Sequence, residues 1–329
     1  MKAMIRSCVI PLVLACMTWH PSFDSWAQNY PTRPVRYILS TSPGSSLDVL
    51  VRILTGEKGG LTDILGVQVL VDNRPGAAGN IGAAIAAKAP ADGYTWLQVN
   101  INHTANAAIY SNLAYDLLRD FEPVTRIAAN PWILVNHPSL PVRSTADLIK
   151  LAKARPGAIG YSSAGPGSGT HMVMSLFTSM AGVKMLHVPY KGGGEALNGV
   201  ITGETPVYFA PLGSAMPYVR QGRLRALAVS TAQRLPLLPD YPAVAETVPG
   251  FEFTAWTGLV VPAKTPKPVI AAIHKSVITA LEGLAVKNRL ANLGYIAIGD
   301  RPEEFESFLK SDLKKMAQLV KALGLAAKK

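Results

Sequence analysis

At 329 residues the chain is longer than one small core needs and suits two domains. Apolar residues make up 49% of it, which excludes a disordered chain. Its 32 Lys and Arg against 21 Asp and Glu give a net charge of +11. The charges are scattered, without a basic run or aromatic-basic interleaving, so anionic small molecules are expected as partners and no nucleic acid.

The N-terminus reads as an export signal. Lys2 and Arg6 precede an apolar run, Cys8 to Met17, that is too short to span a bilayer. Ser25-Trp26-Ala27 is a small-x-small cleavage site, so the mature chain is expected to start at Gln28 and to work in the periplasm. A lipoprotein signal ending at Cys16 is the alternative, disfavoured by the short apolar run before it. Cleavage after Ala27 removes both cysteines and with them any disulfide, thiolate or Cys-based zinc site.

Val35 to Ser40 reads as a strand, followed by the loop Ser42-Pro43-Gly44-Ser45-Ser46-Leu47-Asp48 and a helix over Leu47 to Leu54. Ser45 and Asp48 have capping-box spacing, which makes Asp48 both a cap and a candidate ligand contact. Strand, loop and helix start in this order bind ligands at the strand ends of open α/β sheets. A strand over Val67 to Val71, a turn over Asp72 to Gly76 and a helix over Asn80 to Lys88 come next. Gly76, Gly79 and Gly82 lack dinucleotide-loop spacing and read as a turn plus close helix packing. A strand over Tyr94 to Val99 leads to a polar loop, Asn100 to Thr104, with Asn100, Asn102 and His103 as candidates.

Ile127 to Val135 reads as a strand interrupted at Asn130-Pro131, where a domain crossover is expected. A helix (Thr145 to Ala154) and a strand (Gly157 to Ser162) feed a second glycine loop, Ala164-Gly165-Pro166-Gly167-Ser168-Gly169-Thr170-His171. Glycines let backbone approach a ligand closely, and Thr170 is placed to cap the following helix, whose free N–H groups favour an anion. Alternating short strands and helices continue to Ser230. A proline-rich connection, a strand around Trp256 and helices over Lys267 to Leu281 and Pro302 to Leu323 close the chain. The alternation predicts α/β architecture with mostly parallel sheets.

Enzymatic and cofactor motifs are missing. Ser168 fails the nucleophile-elbow pattern because residue 166 is Pro, the loop has no Gly-Lys-Ser/Thr, and no histidines have metal-ligand spacing. Trp132 and Trp256 lie near the proposed crossovers, where packing is the default for tryptophan.

Tyr30-Pro31-x-Arg33-Pro34, Val71 to Gly82, Asp92-Gly93-Tyr94-Thr95, His187-Val188-Pro189-Tyr190-Lys191-Gly192-Gly193 and Gly222 to Val229 occur in an order that resembles the receptors of tripartite tricarboxylate transporters, the Bug-type proteins. The resemblance runs from Tyr30 to about Gly324. It implies the type II periplasmic-binding-protein fold, two α/β domains with a ligand cleft between them. The expected limits are 28–129 plus 253–329 for one domain and 130–252 for the other. It further implies a monomer that captures an organic carboxylate without a cofactor and delivers it to the membrane permease subunits of such a transporter. A receptor for a signalling kinase and a secreted α/β hydrolase are the alternatives. Ala210 stands where many relatives carry an acid, which argues against an amino-acid ligand and for an apolar or aromatic carboxylate.

Overall fold

The computed structural model describes residues 30–236, 238–322 and 324; the expected export signal and the expected start at Gln28 lie outside them. The chain opens β1 (Val35–Leu39), α1 (Ser46–Gly56), α2 (Leu61–Leu65), β2 (Val69–Asn73), α3 (Asn80–Ala87), β3 (Thr95–Asn100), α4 (Ile101–Ile109) and β4 (Phe121–Asn136). It continues α5 (Thr145–Ala154), β5 (Gly160–Ser163), α6 (Gly169–Ala181), β6 (Leu186–Pro189), α7 (Gly193–Ile201), β7 (Val207–Pro211), α8 (Leu212–Arg220) and β8 (Arg225–Val229). The last part holds β9 (Thr254–Pro262), α9 (Lys267–Glu282), α10 (Leu284–Asn292), β10 (Ile296–Ala297) and α11 (Pro302–Ala322).

The strands form one sheet in the order β2-β1-β3-β9-β4-β7-β5-β6, with β8 and β10 also paired to β4. Its outer parts are parallel (β2-β1-β3 and β7-β5-β6), whereas every pairing of β4 and β9 is antiparallel. The expectation of mostly parallel sheets therefore fails at the centre. Each parallel part is a set of crossover units, but β9 returns from the far end of the chain and runs against both neighbours.

The crossover expected at Asn130-Pro131 is real as a change of partner, but the strand is not interrupted there. β4 pairs with β9 as far as Pro131 and with β7 from Trp132 onward. Proline tolerates this position because it lies where one ladder ends and the next begins. A single sixteen-residue strand thus links the two α/β halves. Alternation along it puts Ala128, Asn130 and Trp132 on one face.

The loop expected over Asn100 to Thr104 is helical instead. Asn100 ends β3 and caps α4 directly, its side chain accepting from Asn102 N at 2.8 Å. Two helices and a strand (α2, α10 and β10) fall outside the sequence expectations because they are short and weakly periodic.

Gly258 in β9 lies against the buried ring of Phe305 from α11, and an added Cβ would collide with that ring and approach Thr125 O at 3.1 Å. Gly258→Ala is expected to cost about 1–3 kcal/mol, the usual range for overpacking a core. Urea denaturation of the two proteins measures it; an unchanged midpoint would show that α11 moves aside freely.

Candidate ligand cavity

A cavity of about 290 Å³ lies between the two halves. Among the described residues, five helices begin at its wall: α1 with Ser46 and Leu47, α4 with Ile101 and Asn102, α6 with Gly169 and Thr170, α7 with Gly193, and α8 through its N-cap Pro211. Helix N-termini carry unsatisfied N–H groups and about half a positive charge each. Among the described residues, the side chains of the wall include no Asp, Glu, Lys, Arg or His. Apolar residues of the wall include Trp132 and Ala128 from β4 and Ala255 and Trp256 from β9.

The sequence candidates divide sharply. Ser46, Asn100, Asn102, Ala164, Ser168, Gly169 and Thr170 meet at the wall. Ser42, Pro43 and Gly44 are exposed and off it, and Ser45 is engaged as the N-cap of α1. Asp48 is buried, with Oδ2 accepting from Gly44 N at 2.8 Å and from Arg52 Nε at 2.9 Å, and Oδ1 from Asn73 Nδ2 at 2.9 Å. Its reach back stops at Gly44, one residue beyond the N-cap that a capping box would use. Burial raises its pKa, but the Arg52, Gly44 and Asn73 donors outweigh that and hold the carboxyl below its ordinary range. Asp48 is a clamp for the first loop, not a wall residue.

His103, in the first turn of α4, is fully buried. Its Nδ1 accepts from Asn100 N at 3.1 Å, which leaves the ring proton on Nε2, 3.4 Å from Ser40 Oγ. It therefore orients the cap, and the expectation of a ligand contact fails on burial. Gly82 lets this packing form, since a Cβ there would meet Ser40 Oγ at 2.6 Å.

The second loop is held from below. Ser168, not Thr170, caps α6, accepting from His171 N at 3.3 Å, while Thr170 Oγ1 accepts from Ala164 N at 2.9 Å. Gly165 (φ 106°) and Gly167 (φ 75°) turn the chain in the left-handed region but do not line the cavity. Gly167 instead borders a neighbouring recess of about 370 Å³. Gly167 N donates to His171 Nδ1 at 3.1 Å, and the His171 ring stacks on His187 at 4.0 Å between centroids. His187 Nε2 and Ser163 Oγ are 2.6 Å apart, a serine–histidine pair that lies under the loop with Ser163 fully buried.

Ala210 is the remaining correction. It is fully buried among Ile133, Ala215 and Val229, and β7 presents Tyr208 and Pro211 to the cavity instead. The argument against an amino-acid ligand therefore moves from Ala210 to the whole wall, which offers no carboxylate to an ammonium group.

Sequence reasoning missed Asn130, Gly193 as a wall residue, Tyr208, Thr257 and Tyr295. Two of these are notable. Asn130 Oδ1 and the Tyr208 hydroxyl are shielded from solvent and have no hydrogen-bond partner. Burial pushes the Tyr208 phenol above its ordinary range; the Thr170 hydroxyl nearby opposes this without making a hydrogen bond. Trp256, on the wall, is fixed from behind by Asp312 of α11, whose Oδ2 accepts from Trp256 Nε1 at 3.0 Å and from Thr104 Oγ1 at 2.6 Å.

Residues 53–325 match the family described as tripartite tricarboxylate transporter family receptor. The chain belongs to this family. The receptor is similar to BugT of Bordetella pertussis (strain Tohama I), at 31% identity over 305 residues, 92% of this chain and 93% of BugT. Among solved structures it is similar to the R. palustris protein Rpa4515 with adipate, with a TM-score of 0.80 and 33% identity over 90% of this chain and 99% of that one. It is also similar to MatC from Rhodopseudomonas palustris with bound malate, with a TM-score of 0.75 and 27% identity over 88% of this chain and 100% of that one. The receptor thus has the two-domain α/β fold of periplasmic binding proteins, and its family is one of substrate-binding receptors rather than enzymes.

The receptor's buried histidines set a pH limit on its stability. Burial pushes His103 down to about 4, against the opposing hydrogen bond from Asn100, while the unfolded side chain titrates near 6.5. The unfolded state takes up a proton that the folded state refuses, so stability is full above pH 6.5 and falls as pH drops toward 4. The loss from His103 alone reaches about 2 kcal/mol by pH 5. Urea unfolding at pH 7.5 and pH 5 is expected to show the drop, and His103→Gln to remove roughly 2 kcal/mol of it; an undiminished drop in the variant would contradict this assignment.

Proposed function

We propose that the receptor captures an organic carboxylate in the cavity between its halves and delivers it to the membrane permease subunits of a tripartite tricarboxylate transporter. The observation that carries this reading is the convergence of five helix N-termini on a wall without a charged side chain. Such a wall suits an anion, because peptide N–H groups and helix dipoles supply positive potential at the point of contact. The apolar residues of the wall, Trp132, Ala128, Ala255 and Trp256 among them, suit a carbon skeleton. The adipate and malate named in two similar structures are of the same chemical class.

The reading extends to the organisation of the chain. Export by a signal cleaved at Ala27 fits the family's periplasmic setting. Domains of 28–129 plus 253–329 and of 130–252 place the division where β4 changes partner from β9 to β7, and hinge closure there buries the ligand. The receptor acts as a monomer. Ser168 does not support the hydrolase alternative: its hydroxyl donates to Gly165 O at 2.7 Å, accepts from the backbone N–H of His171, and pairs with no histidine ring among the described residues.

A thermal-shift screen of the receptor from Gln28 against mono-, di- and tricarboxylates, aromatic acids and amino acids tests this reading. A carboxylate at 100 times its dissociation constant is expected to add about 2.7 kcal/mol. Ser168→Ala, which removes the cap of α6, is expected to weaken that ligand severalfold while leaving the fold intact at a cost of about 1 kcal/mol. If no carboxylate stabilises protein that has been denatured and refolded to release bound ligand, the reading is wrong.

A further inference from the structure

We propose that Tyr208 and the N-terminus of α7 form a second anion subsite in the cavity, which makes the ligand a dicarboxylate; this rests on the carboxylate reading above. Helix α7 begins Gly192-Gly193-Gly194, and its N-cap Gly192 offers no side chain to its first N–H groups. The bare start leaves those donors to whatever occupies the cavity, which Gly193 lines. Glycines at this point keep the backbone open to close approach.

Tyr208 is the independent sign that a ligand atom belongs there. The side chain is fully buried, yet its hydroxyl has no hydrogen-bond partner. An orphaned buried hydroxyl costs stability, so a partner is expected when the site is filled. The hydroxyl lies 3.5 Å from where a Cβ on Gly193 would stand, and Thr170 at the start of α6 is also close. The phenol remains protonated at neutral pH and donates to a carboxylate oxygen that also receives the α7 N–H groups.

This subsite belongs to the half that carries α6 and α7, whereas Ser46, Asn100 and Asn102 belong to the other half. A dicarboxylate engages both at once, one group per half, with its carbon chain against the tryptophans. A monocarboxylate of the same length satisfies only one end and leaves the Tyr208 hydroxyl orphaned.

Calorimetry with adipate and hexanoate on the wild-type receptor and on Tyr208→Phe tests the assignment. The variant is expected to bind adipate about tenfold more weakly and hexanoate within twofold of wild type. Its unliganded melting temperature should equal or exceed that of wild type, because the hydroxyl removed has no partner in the empty protein; a hydroxyl with a structural role would lower it. Gly193→Ala, which places a methyl group beside the hydroxyl, should also weaken adipate selectively. Unchanged adipate affinity in both variants, or equal losses for the two acids, overturns the subsite alone. A wild-type receptor that binds neither acid overturns it together with the carboxylate reading for this length of chain.

Discussion

An anion enclosed in a protein must meet positive potential, and this wall supplies it without a cation. Helix ends do the work, so the fold has to bring them to one point. The sheet order achieves this. Its two parallel parts sit on either side of β4 and β9, and the helices that follow β1, β3, β5, β6 and β7 all start at the same cavity. Parallel strands point their C-terminal ends one way, which places the following helix starts together. The antiparallel centre then turns the two sets toward each other.

Helix ends attract an anion only if their own side chains do not crowd them. The capping groups here are therefore tied down from outside the cavity. Asp48 holds Gly44 and is itself held by Arg52 and Asn73. His103 holds the Asn100 cap, and the His171–His187 stack supports the second loop through Gly167 N. Asp312 joins Trp256 on the wall to Thr104 in α4. These polar groups lie off the cavity wall, where burial of a neutral histidine or a well-bonded carboxylate is tolerable. They fix geometry and leave the wall uncharged.

Much of this was legible in the sequence. The strand–loop–helix units at Ser42 to Asp48 and at Ala164 to His171 announce helix starts through small, polar and glycine residues, a local signal. The family motifs gave the two-domain fold. What was not legible is which side of each loop faces the cavity. His103 and Asp48 look like ligands because they are polar and adjacent, but burial turns both inward to the loop. Ala210 and Tyr208 are two residues apart on β7, and only the tertiary arrangement shows that Tyr208 lines the cavity while Ala210 does not. Thr257 and Tyr295 come from segments far along the chain, and no spacing rule links them to a loop near residue 45. The central antiparallel pairing was missed for the same reason, since β9 is placed by contacts with β3 and β4 and not by its neighbours in sequence.

The central claim is that peptide N–H groups and helix ends recognise negative charge. Isothermal titration of the receptor with adipate and with its dimethyl ester tests it directly, because the two share a carbon skeleton and differ in charge. Binding of the diacid with loss of at least a hundredfold for the diester is the expected result. Equal affinity for both would show that the cavity recognises the apolar chain and that the helix ends have no part in selection.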